Sequence, residues 1–532
     1  MFKPARIAFV LLCGFLICGA VGPLYCFAQT PSVQKGPAKV GNSGEARAAA
    51  AMERARAEGP LTLDAFLRRM PKGADLHMHL SGAVYAETFI RDAAEDSLCV
   101  NLSTFTFTKS VGTSPSVPSQ PVCGEGTVHV ATAFKDQTLY DAMVNAFSMR
   151  SFVPRSGDSA HDHFFATFSK FGGTSPSHMG EWLDEVATRA ASQNEQYLEI
   201  MVTPPFSHAI EAAAKVGWID DPTRMREELL ADGLRDDIPS ARAALDAAEA
   251  KRNELEHCGT SQPAAACAVK IRFLYQVLRA QPRERVFAQT LLAFETIAAE
   301  PRFVGLNFVQ PEDAYVAMSD YTLQMHMLDA LHRQYPKTRI SLHAGELAPG
   351  LVPPEGLRFH IRQAVELGHA ERIGHGVDVM YEDRPDELLR ELVDHHVLVE
   401  INLTSNDVIL GVAGRDHPLP LYRKYGVPVA FSTDDEGVSR IDLTHEYVRG
   451  TMTYALNYRD LKTMARASLD HSFLPGASLW QQSGARRETL DTPVAACRVY
   501  SSSTCDAFLK GSERAAMEIK LEREFERFEA AF

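Results

Sequence analysis

The sequence contains no cluster of lysine and arginine residues, and acids outnumber bases by 68 to 54, which gives a formal charge of -14 over 532 residues. This excess of negative charge argues against a partner such as a nucleic acid polymer, whose phosphates attract basic proteins. Beyond residue 28 no run of 18 uncharged apolar residues occurs, so we expect no stable membrane association of the mature protein. The chain is 45% hydrophobic and 23% charged, which is the balance of a globular protein with a sizeable core.

The first 28 residues have the composition of a secretory signal peptide. Lys3 and Arg6 precede a nearly continuous apolar run over residues 7–28, which ends in small residues suited to cleavage before Gln29. A retained membrane anchor is the alternative, since the run approaches the length of a bilayer span. We predict cleavage, and export to the periplasm or the extracellular space.

Cysteine is scarce, and its distribution agrees with export. Three of the nine cysteines fall within residues 1–28, which leaves six. In an oxidising compartment the expected disulfides join neighbours in sequence, namely Cys99–Cys123, Cys258–Cys267 and Cys497–Cys505. Six cysteines permit other pairings, so this prediction rests on proximity alone. Six free thiols are the alternative.

Short apolar runs alternate with helical stretches after residue 70. Most of these runs are continuously apolar, as strands buried on both faces require. The eight predicted strands are Asp75–Leu80, Tyr197–Val202, Ile271–Leu278, Phe303–Val309, Ile340–His343, Arg372–Gly374, Val397–Leu403 and Val427–Ser432. Eight βα units predict an α/β fold, a (β/α)8 TIM barrel with insertions. A doubly wound sheet is the competing architecture, but no glycine-rich phosphate-binding motif follows the first strand.

The barrel is expected over residues 71–490, between two terminal segments. Residues 29–70 are predicted to form a flexible leader and an N-terminal helix, and residues 491–532 a disulfide loop and a helix. Insertions are expected at about 99–123 and 205–269. One face of the C-terminal helix is apolar and carries Met517, Leu521, Phe525 and Phe528. This face favours a helix that caps the barrel; a homodimer contact is the alternative.

Polar residues follow several of the predicted strands. In barrel enzymes the reactive side chains lie at the C-terminal ends of the strands. The first strand ends in His77 and His79, which the alternation of a strand places on one face, and later strands end in His343, His375 and Asp434. A single His-x-His pair is a weak signal. Imidazoles and a carboxylate gathered at strand ends, however, suit a divalent metal, zinc above all, with one position left for water.

Six segments of the chain resemble the adenosine deaminase family, in the order and the strand context of that family. They are PKGADLHMHLSGA (71–83), SLHAGE (341–346), RIGHG (372–376), LTSN (403–406), HPL (417–419) and GVPVAFSTDD (426–435). The resemblance spans roughly residues 71–480, and the long insertions, cysteines and export signal are similar to its secreted, growth-factor-related branch. It implies a zinc-containing (β/α)8 barrel, the fold that the strand count also predicts, and hydrolytic deamination of a purine.

The resemblance implies roles for individual residues. One zinc ion per chain would be held by His77, His79, His343 and Asp434. Glu346 would protonate the purine nitrogen N1, which requires a neutral carboxyl, and a dry pocket favours that form by raising its pKa. His375 would position the attacking water and act in its deprotonation or in stabilising the hydroxide. Asp435 would hydrogen-bond N7, and His79 would also lie beside the substrate.

Two positions depart from the family pattern. Where the cytosolic enzymes have an acid that binds the ribose 5′-hydroxyl, this chain has Ser81, which is shorter and uncharged. Where the family has a glycine whose backbone amide reaches purine N3, this chain has Gln310, which could donate from its side chain or its backbone. Phe164, Phe165 and Phe168 are candidate walls of the pocket, although their helical spacing is more typical of ordinary core.

The sequence therefore predicts an exported zinc enzyme that converts adenosine, together with 2′-deoxyadenosine, to an inosine-type product and ammonia. A first alternative is another 6-aminopurine, such as a 5′-modified adenosine, adenine or AMP, although no basic cluster near the strand ends favours a phosphate. A second is another amidohydrolase, but strand four offers Asn307 and Gln310 in place of a metal-bridging lysine. A third is a secreted binding or signalling protein with an inactive barrel. The presence of all predicted metal ligands and of both acid–base residues argues against this alternative.

Overall fold

The computed structural model describes residues 43–113, 121–481 and 490–532. The predicted signal peptide and most of the leader therefore lie outside the described residues. Residues 44–532 form one unit. Among the described residues, no helix combines the length and the apolar character that crossing a bilayer needs.

Eight parallel strands close into the predicted barrel. They are β1 Gly73–His79, β2 Glu195–Val202, β3 Lys270–Leu278, β4 Phe303–Val309, β5 Ser341–Ala344, β6 Arg372–His375, β7 Leu398–Ile401 and β8 Val429–Phe431. The first four pair side by side in chain order, as do the last four. Parallel bridges between Leu306 and Ile340 and between Met78 and Asp434 join the two groups. The TIM-barrel prediction is confirmed.

The observed strand ends differ from the predicted ones by small shifts. The strand β7 ends at Ile401 and not at the predicted Leu403, because the apolar run continues into the helix Leu403–Leu410. An apolar run alone does not distinguish a buried strand from the first turn of a buried helix.

Helices surround the barrel and fill its connections. The α-helices are Gly44–Glu58, Pro60–Leu67, Leu80–Ala83, Ala86–Glu95, Gln137–Ala146, Ala160–Phe171, Met179–Ser192, Ser207–Val216, Pro222–Ala231, Ile238–Leu255, Arg283–Ala299, Tyr315–Ser319, Tyr321–His332, His360–Glu366, Pro385–Asp394, Leu403–Leu410, Leu419–Tyr425, Glu436–Ser439, Leu443–Tyr454, Tyr458–Asp470, Ser503–Lys510 and Glu513–Ala530. The 3₁₀ helices are Val130–Lys135, Pro176–His178, Leu234–Asp237, Ala265–Ala268, Pro354–Leu357, Gly414–Asp416 and Ala495–Cys497.

The connection between β1 and β2 forms an additional layer on the C-terminal face of the barrel. Its short antiparallel strands are Cys99–Asn101, Phe107–Thr108, Gly112–Thr113, Pro121–Val122 and Thr127–His129. This layer has its own apolar cluster, which includes Val100, Phe147 and Phe164. Ile409 and Val438, from the connections after β7 and β8, belong to the same cluster. The layer therefore packs against the connections that follow β7 and β8, next to the predicted site.

Three disulfides are present, and they are the three that proximity in sequence predicts: Cys99–Cys123, Cys258–Cys267 and Cys497–Cys505. The first joins the strand Cys99–Asn101 to the residue after the strand Pro121–Val122 within the layer between β1 and β2, and the second follows the helix Ile238–Leu255 in the connection to β3. The third lies between the barrel and the C-terminal helix. Each disulfide crosslinks residues outside the barrel strands.

The terminal helices pack on the barrel. The first helix begins at Gly44, within the segment predicted to hold a leader and a helix, and it buries Ala48 and Met52. The predicted apolar face of the C-terminal helix is buried within the chain. Its Phe528 ring lies 5.3 Å from the ring of Phe66. These contacts agree with a cap on the barrel.

Candidate active site

The predicted metal ligands lie together at the C-terminal end of the barrel. His77 and His79 end β1, His343 lies in β5, and Asp434 follows β8. Asp434 has a φ of 60°, and its Oδ2 accepts a hydrogen bond of 2.6 Å from the Ser405 hydroxyl. This contact gives the serine of the LTSN segment a role in holding the carboxylate.

Four atoms of this cluster face one another at short range. Nε2 of His343 lies 3.1 Å from Nε2 of His77 and 3.2 Å from Nε2 of His79. Oδ1 of Asp434 lies 3.4 Å from Nε2 of His77 and 3.3 Å from Nε2 of His79. Three imidazole nitrogens and one carboxylate oxygen are a typical donor set for zinc, with a further position open for water.

A buried acceptor engages the other nitrogen of each of these imidazoles. Glu400, Gln276 and Asn307 lie 2.7, 2.6 and 2.7 Å from Nδ1 of His77, His79 and His343, respectively. Asn307 Oδ1 also accepts from the backbone N–H of His343 at 3.1 Å, which identifies this atom as the oxygen. With a proton on each Nδ1, three Nε2 lone pairs point at one another and at a carboxylate. Such an arrangement is repulsive unless a cation lies between them, so these residues fit a zinc ion.

His375 ends β6 and lies at the edge of the cluster. Its Nε2 is 3.6 Å from Glu346 Oε1 and 3.9 Å from Asp434 Oδ2. Its Nδ1 is 2.8 Å from the amide nitrogen of Asn406. Burial lowers the pKa of His375 to about 3, so the ring is neutral. Its Nδ1 thus faces a donor, whereas the Nδ1 atoms of the three predicted ligands face acceptors.

Glu346 lies in the turn after β5, held from behind by a second carboxylate. The backbone N–H groups of Gly345 and Glu346 donate to the two oxygens of Glu312, at 3.1 and 2.8 Å. Burial, followed by the charges of Asp434 and Glu312, raises the pKa of the Glu346 carboxyl well above its ordinary value. Both effects favour the protonated form of this carboxyl, which can donate a proton.

Glu312 keeps its negative charge although it is fully buried. Burial on its own would raise its pKa, but the hydrogen bond and charge of His360 and the charge of Arg279 outweigh it and hold the pKa at about 2. His360 Nδ1 lies 2.5 Å from Glu312 Oε1. The turn that carries the acid is thus fixed by a permanent anion.

Asp435 is buried against the segment after β1. A Cβ atom added at Gly82 would lie 1.5 Å from Asp435 Oδ1, so this position of the HLSGA segment requires glycine. Burial and the neighbouring Asp434 raise the pKa of the Asp435 carboxyl well above its ordinary value. A second glycine, Gly374, allows the His77 ring to approach, since a Cβ there would lie 2.5 Å from His77 Cε1.

A cavity of about 380 Å³ opens above these groups. Its lining includes the predicted substrate-binding residues His79, Ser81, Gln310 and Asp435, together with Glu346, His343 and Asp434. Its apolar walls include Phe164, Phe165, Phe168, Leu278, Val309 and Ile409. The three phenylalanines, whose spacing is more typical of core, thus contribute both to the apolar cluster of the additional layer and to the wall of the cavity.

Gln310 takes a backbone conformation that favours glycine. Its φ is 82°, in the left-handed region that is uncommon for other residues. Its side-chain Oε1 accepts from the backbone N–H of Ala280 at 2.9 Å. Its carbonyl accepts from Arg279 Nε at 3.2 Å, while Nη1 of the same arginine donates to the carbonyl of His343 at 3.1 Å. Buried Arg279 therefore ties the ends of β4 and β5 together.

Comparison with known proteins identifies the family of this chain. The adenosine deaminase family model matches residues 174–479, more than half of the 532 residues. The chain belongs to the adenosine deaminase family. The family match begins after β1, so His77 and His79 are placed in the site by the barrel geometry rather than by that match.

Curated adenosine deaminases resemble part of the chain. An adenosine deaminase from Clostridium perfringens strain 13 is 30% identical over 181 residues, which is 34% of this chain and 51% of that protein. One from Escherichia coli strain SMS-3-5 is 37% identical over 136 residues, which is 25% of this chain and 38% of that protein. The chain thus spans about half or less of the length of these relatives.

A solved structure supports the fold alone. The crystal structure of an amidohydrolase from Burkholderia ambifaria with bound zinc is 16% identical, and it aligns with a TM-score of 0.51 over 88% of this chain and 95% of that chain. This likeness agrees with the closed ring of eight parallel strands.

The sequence alone does not predict several residues of this adenosine deaminase family site. They are the acceptors Glu400 and Gln276, and the Glu312–His360–Arg279 group behind the acid. One signal was available, because Glu400 is a charged residue within the apolar run of β7, and buried charges are retained where they are paired. Its partner could not be read from the sequence.

Proposed function

We propose that this protein is a zinc-dependent hydrolytic deaminase of a 6-aminopurine nucleoside, with adenosine and 2′-deoxyadenosine as substrates. The products would be the corresponding 6-oxopurine nucleoside and ammonia. The observation that carries the proposal is the position of Glu346, a buried carboxyl of raised pKa that lines the same cavity as His79, His343 and Asp434. Membership of the adenosine deaminase family agrees with it.

The zinc ion would be held by His77, His79, His343 and Asp434, whose Nε2 and Oδ1 atoms face one another at short range. When bound, zinc supplies acidification of water, whose pKa falls from about 15.7 in bulk to about 7. The remaining steps belong to side chains of the chain itself.

Glu346 acts as the general acid. Attack of water on C6 places negative charge on N1, so a protonated carboxyl at N1 stabilises the transition state more than the ground state. The raised pKa of Glu346 favours the protonated form that this role requires. Of the two protons of the water, one ends on N1 and the other on the amino group, which leaves as ammonia while the oxygen becomes the 6-oxo group.

Asp435 and His375 orient the reactants. N7 has a lone pair and no proton, so a hydrogen bond between N7 and Asp435 uses a proton of the Asp435 carboxyl. His375 Nε2, which lies 3.6 Å from the Glu346 carboxyl, is placed to contact the attacking oxygen.

A 5′-substituted adenosine is the second candidate substrate. Ser81 lines the cavity and offers a hydroxyl but no charge, and the lining also includes Phe165, Phe168 and Leu278. An uncharged hydroxyl in a largely apolar lining favours a less polar 5′ group than a phosphate.

We also propose that the protein is exported. Three disulfides are typical of an oxidising compartment. N-terminal sequencing of the protein recovered from periplasm or medium tests this, with Gln29 as the expected first residue. A product that retains Met1 would contradict export by cleavage.

Ammonia release tests the reaction. Zinc-loaded protein is offered adenosine, 2′-deoxyadenosine, 5′-methylthioadenosine, adenine and AMP, with a chelator-treated sample beside each. Chelator-sensitive release from adenosine is the expected result, and the ranking against 5′-methylthioadenosine decides between the two candidates. No release from any of the five, with zinc bound, would contradict the proposed function and favour a binding role.

A further inference from the structure

Two of the sequence segments, LTSN (403–406) and HPL (417–419), meet directly behind His375. Asn406 lies in the helix Leu403–Leu410 that follows β7, and His417 lies just before the helix Leu419–Tyr425. Both side chains are buried, with exposed fractions of 0% for Asn406 and 2% for His417. Neither lines the substrate cavity, and Asn406 contacts His375.

The direction of the hydrogen bonds in this group is set by a backbone donor. The N–H of Leu419 donates to Nδ1 of His417 at 3.1 Å. A backbone N–H can only donate, so Nδ1 of His417 carries no proton. Burial and the charge of Arg449 lower the pKa of His417 to about 3, so the ring is neutral and its proton is on Nε2. That Nε2 lies 3.0 Å from Asn406 Oδ1, to which it donates.

The same direction continues to His375. Because Asn406 Oδ1 accepts from His417, the other atom of the amide is the NH₂ group, and it lies 2.8 Å from Nδ1 of His375. An amide nitrogen donates and does not accept, so Nδ1 of His375 accepts the bond. The Asn402 amide nitrogen lies 3.4 Å from the same Nδ1 as a second donor. The proton of the neutral His375 ring is therefore on Nε2, the atom that faces Glu346 and Asp434.

We propose that His417 and Asn406 are positioning residues that hold His375 in the Nε2–H tautomer, so that His375 donates a hydrogen bond to the attacking oxygen and does not remove its proton. This proposal rests on the proposed function for the identity of that oxygen, whereas the tautomer itself follows from the hydrogen bonds alone. His375 keeps its own proton throughout the reaction. The two protons of the water then reach N1 and the departing amine without passing through His375, and Glu346 is the neighbouring group that can transfer them.

This arrangement separates His375 from the three imidazoles of the metal cluster. Their Nδ1 atoms donate to Glu400, Gln276 and Asn307, which leaves Nε2 free to bind a cation. His375 has the opposite polarity, since its Nδ1 accepts. The same residue type thus serves two purposes in one site, and the partner behind each ring decides which.

The tautomer is measured directly by ¹⁵N NMR of the zinc-loaded protein labelled at histidine. The expected spectrum for His375 shows a protonated Nε2 and an unprotonated Nδ1, with the resonances assigned from their loss in His375→Asn. A protonated Nδ1, or an imidazolium with both nitrogens protonated, would overturn the proposal. This readout does not depend on turnover, so it stands even where no purine is deaminated, and the failure of the proposed function is recognised separately by ammonia release.

Variants of Asn406 and His417 test the chain of hydrogen bonds that runs from Leu419 to His375. In Asn406→Asp the carboxylate accepts where the amide donated, so the proton of His375 moves to Nδ1 and kcat falls by about 10²–10³-fold, the loss typical of one missing oxyanion donor, while zinc content and KM stay close to wild type. His417→Gln retains one acceptor for Leu419 and one donor for Asn406, so it is expected to keep the tautomer of His375 and most of the activity. His417→Leu has neither group, so it is expected to lose both the tautomer and the activity. Asn145→Asp, the same change at an exposed position, is the matched control. A wild-type tautomer and rate in Asn406→Asp would show that Asn406 is only structural.

Discussion

Glu346 is the residue whose protonation state decides the proposed chemistry. Replacing it with glutamine keeps the shape of the side chain and removes the acidic proton. Because Glu346 is not among the four residues proposed to hold the metal, Glu346→Gln is expected to retain zinc and to lose about 10²–10⁴-fold in turnover, the usual contribution of a general acid. Ammonia release and zinc content, measured on the same preparation, check both parts.

The matched control for this variant is Glu366→Gln, an exposed glutamate on the helix His360–Glu366. It is expected to behave as wild type in both measurements. Turnover of Glu346→Gln within tenfold of wild type would remove Glu346 from the mechanism. Loss of zinc in Glu346→Gln but not in the control would instead place Glu346 among the groups that hold the metal.

Single residues of the site differ in how far the sequence predicts them. His77, His79, His343, His375 and Asp434 are readable because each stands at the end of an apolar run, and parallel strands bring such ends together. Their supporting partners are not readable in the same way. Whether an imidazole can offer its Nε2 to a metal depends on whether its Nδ1 faces an acceptor oxygen or an amide N–H group, and that contact joins residues from different strands or connections.

At the scale of elements, the turn after β5 is fixed by the segment after β4. Glu312 accepts both backbone N–H groups of that turn and has a folded pKa of about 2, against an ordinary value of 4.5. A depressed pKa contributes stability that is complete above about pH 5 and is lost as the pH falls toward 2. The size of this contribution is on the order of 3 kcal/mol.

Urea unfolding of chelator-treated protein at several pH values between about 7 and 3 tests this contribution. Glu312→Gln lacks the titrating group, so its deficit in unfolding free energy relative to wild type is expected to be largest at neutral pH and to shrink as the pH falls. A deficit that stays constant with pH would mean that the glutamate matters for its shape and not for its charge. Glu366→Gln serves as the exposed control here as well.

The sequence predicts the barrel strands better than it predicts the conformation of the connections between them. Strands buried on both faces read as apolar runs whatever surrounds them, and all eight have counterparts in the structure. Gln310 is an example of a conformation that the sequence does not predict, because nothing in its local sequence indicates a φ of 82°. That conformation depends on Arg279 and Ala280, which bind its carbonyl and its side chain from another strand end.

At the scale of the whole molecule, the layer between β1 and β2 links stability to substrate binding. Its disulfide Cys99–Cys123 closes one edge of the layer, and the same layer supplies Phe164, Phe165 and Phe168 to the wall of the cavity. The metal donors belong to the barrel strands and their ends instead. Loosening the layer should therefore weaken the contact with substrate more than it disturbs the metal cluster.

Removing this disulfide separates the two effects. The variant Cys99→Ser/Cys123→Ser is expected to lose about 2–4 kcal/mol of unfolding free energy, to retain zinc, and to show a KM that rises by a larger factor than kcat falls. Cys497→Ser/Cys505→Ser is the matched control, because the segment that this disulfide closes, unlike the layer between β1 and β2, contributes no residue to the cavity. The control should lose stability by a similar mechanism while its KM stays at the wild-type value. If both variants raised KM equally, the layer would have no special part in binding substrate, and the effect would reflect stability alone.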